Sequence, residues 1–171
     1  VRELKAAGIT KVVMMTGDSE RTAAAIAKRV GVDEYYSEVL PEDKASFVEK
    51  EKALGHKVIM IGDGINDSLA LSSANVGIAI SDGAAIAREI ADVTISADNL
   101  HEIVTLKRLS TALMKRIHNN YRTIIGVNGG LIALGVTGVS MPTTSALLHN
   151  MSTRTISLRS MRNLLPKEET L

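Results

Sequence analysis

The sequence predicts an α/β domain built on a parallel sheet with flanking helices, followed by a helical hairpin that crosses a membrane and returns. Three observations carry this expectation. Short apolar runs alternate with stretches of helical spacing as far as Ile95, the pattern of strands joined by helical crossovers. Two of those runs end in turns rich in Gly, Asp and Asn, at Thr16-Gly17-Asp18 and at Gly62 to Asp67. From Thr123 to Thr153 there is no Asp, Glu, Lys or Arg, a run long enough to cross a bilayer once with slack, or to form a crossing and a turn.

The elements follow in order. Val1 to Ile9 has helical character, and Lys11 to Met15 (KVVMM) is a strand that stops at Thr16-Gly17-Asp18. Ser19 to Val30 is a helix with Ala23, Ile26, Ala27 and Val30 on one side and Gly31 placed to end it. Glu38-Val39-Leu40 is a short extended piece before Pro41. Glu42 to Leu54 is a second helix, with Phe47, Val48 and Leu54 inward and Glu49, Lys50, Glu51 and Lys52 outward. Val58 to Ile61 is a strand running into the second turn. Ser68 to Ala74 then forms a helical turn or two, Val76 to Ile80 a strand, Ala84 to Ile90 a helix and Val93 to Ile95 a strand. In such sheets ligands bind at the carboxyl ends of the strands, so both turns should face one site.

The 171 residues are 45% hydrophobic and 23% charged, an ordinary globular balance. The absence of cysteine excludes disulfides, thiolate metal sites and a cysteine nucleophile. The net charge of +1 conceals two unlike halves: 11 Lys/Arg against 17 Asp/Glu up to Ile103, and 9 against 2 from Val104 onward. Lys107, Arg108, Lys115, Arg116 and Arg122 precede the uncharged run, and Arg154, Arg159, Arg162 and Lys167 follow it. With basic residues kept in the cytoplasm, both ends of a hairpin lie on that side and its outer turn lies near Gly138 to Pro142. Gly126, Gly129, Gly130, Gly135 and Gly138 lower the helix propensity of a soluble hairpin but are common where membrane helices pack closely. The run is too far along the chain to be a signal peptide. Nothing in the pattern calls for nucleic acid.

The two turns suggest a chemistry. A loop between a strand and a helix offers backbone N–H groups and a positive helix end to phosphate. Thr16 can add a hydroxyl donor, and Lys44, just inside the helix after Pro41, a compact positive charge. Asp63 and Asp67 would repel phosphate unless a cation sits between, and hard oxygen ligands beside a phosphate suggest Mg²⁺. Hydroxyl, ammonium and metal together describe phosphoryl transfer, in which catalysis is mainly positioning and charge neutralisation.

MMTGD at 14 to 18, LPEDK at 40 to 44, VIMIGDGIND at 58 to 67, ANVGIAI at 74 to 80 and GAAIAREIADVTI at 83 to 95 closely resemble the phosphorylation domain of P-type ATPases, a branch of the haloacid-dehalogenase-like (HAD-like) fold. The resemblance implies a HAD-like domain over residues 1–105, a basic stalk over 106–122, two transmembrane helices over 123–165 and a tail over 166–171. It also implies that Thr16 and Lys44 hold the transferred phosphoryl group. Asp63 would bind Mg²⁺, Asn66 and Asp67 would support the metal and phosphate network, and Gly17, Asp18, Gly62 and Gly64 would shape the loops. ATP is the implied substrate, and the bacterial plasma membrane the implied location.

The second half resembles the end of the heavy-metal-transporting branch. His149-Asn150-Met151-Ser152-Thr153 looks like the short polar motif of its ion path, although neither the Met and Ser pairs of copper pumps nor the Asp of zinc pumps is matched. His149, Asn150, Ser152, Thr153 and Asn128 are therefore candidate ligands for a transported ion, or polar groups that hydrogen-bond helix to helix. Imidazole with neutral oxygen suits a borderline divalent ion such as Mn, Co, Zn or Fe. The largest departure is that the family's phosphorylated aspartate, in Asp-Lys-Thr-Gly-Thr, is absent from these residues; Asp92-Val93-Thr94 is only superficially like it. The expectation is the C-terminal portion of a longer transporter, inactive alone and partnered by the missing N-terminal part, lipid and a divalent metal ion. The alternative is a soluble phosphatase of the same superfamily, which gives no reason for the uncharged run.

Overall fold

The computed structural model of the chain describes residues 1–63, 65–80, 85–96 and 101–165. It has two compact units, Val1–Val104 and a second beginning at Thr105.

The first unit runs α1 (Arg2–Ala6), β1 (Val13–Met15), α2 (Glu20–Val30), β2 (Glu34–Tyr36), α3 (Pro41–Ala53) and β3 (Ile59–Gly62). A 3-10 turn (Ile65–Asp67) leads into α4 (Ser68–Ser73), β4 (Val76–Ile80), α5 (Ala85–Ile90) and β5 (Val93–Ile95). All strand pairs are parallel, as expected, but they form two sheets rather than one. β1 pairs with β2, and β3, β4 and β5 form the second sheet in that order. Apolar periodicity identifies strands without saying which edges meet, which is why one sheet was expected.

β2 also differs from expectation. The strand is Glu34–Tyr36, and Glu38, expected to be extended, has φ 52° in the left-handed region. Three backbone bonds hold the segment after β2 against the loop after β1: Thr16 N–H donates to the Tyr36 carbonyl, Glu38 N–H to that of Asp18, and Val39 N–H to that of Thr16. Glu20 at the start of α2 accepts hydrogen bonds from the hydroxyls of Tyr35 at 2.8 Å and Ser37 at 2.5 Å, and these bonds hold its carboxyl below the usual range, that from Ser37 most strongly.

Small residues set the packing. Ala23 and Ala27 are the buried face of α2, which ends at Gly31 with φ 77°, the left-handed cap that glycine adopts without a Cβ penalty. Val30 and Leu54, expected inward, are 47% and 64% exposed; Val30 is the last residue of α2 and Leu54 the cap that follows α3. Leu71 of α4 and Ala79 of β4 are buried together, with Met60 and Ala91 against them. Two side chains extend the second sheet beyond its strands. Asn75 Oδ1 accepts the Val58 N–H at 2.9 Å and Asp92 Oδ2 accepts the Gly77 N–H at 2.8 Å. Asp92 is thus a backbone staple of the β4–β5 connection.

The second unit contains the body of α6 (His101–Val136) and α7 (Pro142–Ser160), joined by a turn in which Gly138 has φ 71°. The helix continues through Gly126, Gly129, Gly130 and Gly135, and a Cβ at any of them would meet nothing within 4 Å. Among the described residues no helix packs closely on those glycines. No helix among the described residues is long and apolar enough to cross a membrane. The charge-free part of α6, Thr123 to Val136, is about 21 Å long at the α-helical rise, against a hydrocarbon core of roughly 30 Å, and α7 carries Arg154 and Arg159.

Two predictions follow from this packing. A Cβ on Gly77 would lie 2.8 Å from the Leu71 carbonyl oxygen, a backbone atom that cannot rotate away; Gly77→Ala should destabilise the chain by about 1–3 kcal/mol in urea unfolding. Asp33 accepts from the Lys5 ammonium, and from the Val12 N–H at 2.8 Å, and these bonds, Lys5 first, lower its carboxyl from 3.8. The folded chain therefore binds fewer protons there than the unfolded one. Its contribution is complete above the ordinary carboxylate range and is lost as pH falls through the lowered value. Asp33→Asn should remove that part of the loss of stability below about pH 4, read from urea midpoints against pH.

Candidate active site

The strand ends and helix starts of the first unit carry the site. Thr16, one residue past β1, donates its hydroxyl to Asp18 Oδ2 at 2.8 Å, while its oxygen accepts the Asp18 N–H at 3.1 Å. The hydroxyl has one proton, and Asp18 takes it. Gly17 lies between them with the Val39 carbonyl 3.9 Å from where a Cβ would stand.

Lys44 sits in the first turn of α3. That helix begins with Pro41, whose missing N–H costs nothing there, and Asp43 reaches back to the Leu40 N–H at 3.3 Å. From this turn the Lys44 ammonium reaches Asp67 Oδ1 at 2.8 Å, with only 14% and 10% of the two side chains exposed. Asp67 is the buried charged residue of the described chain, and Lys44 compensates it. Gly62 makes room for the pair: a Cβ there would stand 2.5 Å from the Asp67 Cβ. Asp63 and Asn66 are exposed, and Gly64 lies outside the described residues.

The two carboxylates thus have unlike surroundings. Asp67 is held by an ammonium, whereas Asp63 is open to solvent at the end of β3. No hydrogen bond among the described residues joins the Thr16 loop directly to Asp63 or Asp67. The connection runs from Thr16 through Val39 and Leu40 into α3, and from Lys44 to Asp67.

In the second unit, His149 Nδ1 and Asn128 Oδ1 lie 2.9 Å apart, bringing together α7 and α6. Ser152 and Thr153 donate their hydroxyls to the His149 carbonyl at 2.8 and 3.1 Å. Those two hydroxyls serve their own helix backbone. Asn150 is exposed.

The family described as haloacid dehalogenase-like hydrolase matches residues 1–75. The manganese-exporting P-type ATPase of Mycobacterium bovis is 38% identical over 161 residues, 94% of this chain and 22% of the relative. The zinc-exporting P-type ATPase of Mycobacterium marinum is 37% identical over the same length and coverage. The crystal structure of a zinc-transporting PIB-type ATPase in its E2.Pi state superposes with TM-score 0.89 at 33% identity, covering 97% of this chain and 27% of that one. The relatives and the solved structure that match nearly the whole of this chain are heavy-metal P-type ATPases. The chain spans about a fifth of the length of the curated relatives it matches. The likeness extends through both units, which favours a P-type ATPase over a soluble phosphatase.

The residues present fit the Mg²⁺ that a P-type ATPase of HAD-like fold implies, to a defined extent. Mg²⁺ is commonly bound by one or two carboxylates together with waters and substrate phosphate. Asp63 offers such a carboxylate. No group of three His, Asp or Glu converges among the described residues. Lys44 has three N–H donors and gives one to Asp67, leaving two for an anion.

Removing the ammonium alone would strand a buried carboxylate. Lys44→Met should cost roughly 3 kcal/mol in urea unfolding. Lys44→Met with Asp67→Asn should recover most of that loss, because the buried charge is then gone.

Proposed function

We propose that this chain supplies the phosphate-positioning and Mg²⁺-binding half of the phosphorylation site of an ATP-driven exporter of divalent transition-metal cations, together with part of its ion path. The Lys44–Asp67 pair carries the reading: it brings an ammonium with two spare donors to the loop that bears Asp63. Thr16 and Lys44 bind the phosphoryl oxygens, Gly17 and Asp18 shape the first loop, and Asp63 holds Mg²⁺. Asn66 and Asp67 orient the surrounding network. Bound Mg²⁺ would neutralise phosphate charge as the phosphoryl group moves. The Thr16 hydroxyl must turn from Asp18 before it can donate to phosphate.

The acceptor aspartate comes from residues outside this chain. Two observations support this: Asp-Lys-Thr-Gly-Thr does not occur in the sequence, and β1 and β3 are each paired on one side only among the described residues. A strand between them would join the two sheets and bring its carboxyl end beside Thr16 and Asp63.

The hairpin lies in the membrane with both ends cytoplasmic. Ile125, Ile132, Val136, Val139, Leu147 and Met151 are all more than half exposed, an apolar surface that water does not suit. The charge-free parts of its helices are short for a bilayer, so they span it with the help of helices from the rest of the transporter, which the open glycine positions on α6 admit. His149 and Asn128, with Asn150, Ser152 and Thr153 nearby, are the ligands offered to the transported ion. Imidazole suits the zinc named for one relative, and neutral oxygen the manganese named for another.

Residues 1–171, purified and incubated with radiolabelled ATP and Mg²⁺, should form no acid-stable phosphoenzyme, whereas the parent transporter containing its aspartate should. Lys44→Ala in that parent should lower the labelling by about 100-fold or more if the ammonium neutralises transferred phosphate. Acid-stable labelling of residues 1–171 alone would overturn the assignment.

A further inference from the structure

From Thr105 to Leu165 the chain has eight Lys and Arg residues and no Asp or Glu. Nothing within the second unit's described residues can neutralise them. Four of the eight, Lys115, Arg116, Arg159 and Arg162, line one open cavity of about 470 Å³ between α6 and the end of α7, with Asn119 and Asn120.

The cavity has a fixed wall and a charged mouth. Arg116 donates to the carbonyls of Ser160 at 2.9 Å, Arg162 at 2.6 Å and Asn163 at 3.0 Å, closing the carboxyl end of α7. Asn120 donates to the Ser160 hydroxyl at 2.8 Å. These four bonds tie α6 to α7 and leave Lys115, Arg159 and Arg162 exposed around the opening. Like charges gathered in one cavity repel unless an anion joins them, and guanidinium forks with an amide match phosphate oxygens.

We infer that this cavity binds the phosphate headgroup of an anionic phospholipid. The inference rests on the reading of the hairpin as membrane-embedded. The charge-free run from Thr123 to Thr153 lies between the two sets of cations in the sequence, which gives the cavity headgroup depth. Ile117 and Leu158, 48% and 67% exposed on the same two helices, offer apolar surface to acyl chains; free phosphate has no use for it. A basic cluster just cytoplasmic of a membrane segment attracts anionic lipid on general grounds, and here its members share one cavity.

The test uses the full chain in uncharged detergent, with bound phosphatidylglycerol and phosphatidylcholine counted by native mass spectrometry. Phosphatidylglycerol should be retained in preference. Arg159→Gln with Arg162→Gln should weaken its binding by about 30-fold, the effect of two basic residues at an anionic surface, while Arg159→Lys with Arg162→Lys should retain most of it. Equal retention of the two lipids, or undiminished phosphatidylglycerol binding by the Gln variant, overturns the inference. So does inorganic phosphate that binds as tightly and displaces the lipid, since the source is then free phosphate. Flotation with pure phosphatidylcholine vesicles is the separate measure of membrane embedding. Its failure counts against the hairpin reading, whatever the lipid count in detergent gives.

Discussion

The bond between Lys44 and Asp67 is the constraint on which the first unit's arrangement depends. Burying a carboxylate costs several kcal/mol unless a partner compensates it, and Asp67 is 7% exposed. The ammonium that compensates it comes from the first turn of α3, so the position of that helix is tied to the turn after β3. Leu40 and Val39 in turn connect α3 to Thr16, whose carbonyl accepts the Val39 N–H. Gly62 completes the arrangement, because the Asp67 side chain occupies the space that a Cβ there would need. The two loops are therefore held in one assembly without any direct bond between them.

Among the described residues every strand of the unit except β4 is paired on one side only. Parallel strands are ordinarily buried within a continuous sheet, yet Ile59 and Ile61 of β3 are 39% and 36% exposed. An unpaired edge bearing apolar side chains invites another strand. The hairpin presents the same situation in helical form, with large apolar side chains and open glycines that nothing among the described residues covers. Both surfaces belong to a larger assembly in the proposed reading, and the relatives' length agrees with it.

Much of the fold was legible because burial enforces period and punctuation. The apolar runs at 76–80 and 93–95 became strands over those same residues, and Ser68 began the helix expected there. Errors arose where a local signal competed with a nonlocal one. Val39-Leu40 before Pro41 looks extended, but β2 takes Glu34–Tyr36 because those residues meet Val13–Met15 in register. The uncharged run counts residues across the turn, whereas α6 stops at Val136, so an adequate sequence length becomes two short helical segments. The carboxylates at 63 and 67 were legible as a motif. Their different surroundings were not, since the partner of Asp67 is 23 positions away in sequence.

In the proposed reading that difference also separates the roles of the two donors offered to phosphate. Lys44 can keep Asp67 and still present two N–H groups to an anion, so binding need not disturb the pair that holds α3 in position. Thr16 has a single proton already directed at Asp18. It can serve phosphate only by rotating away, and Asp18, whose N–H also bonds the Thr16 oxygen, then loses part of what fixes its loop. The ammonium is a standing donor and the hydroxyl a switched one. Phosphate arriving at Lys44 first would meet an ordered site, and only the exchange at Thr16 would carry the news of its arrival to the segment at 36–39.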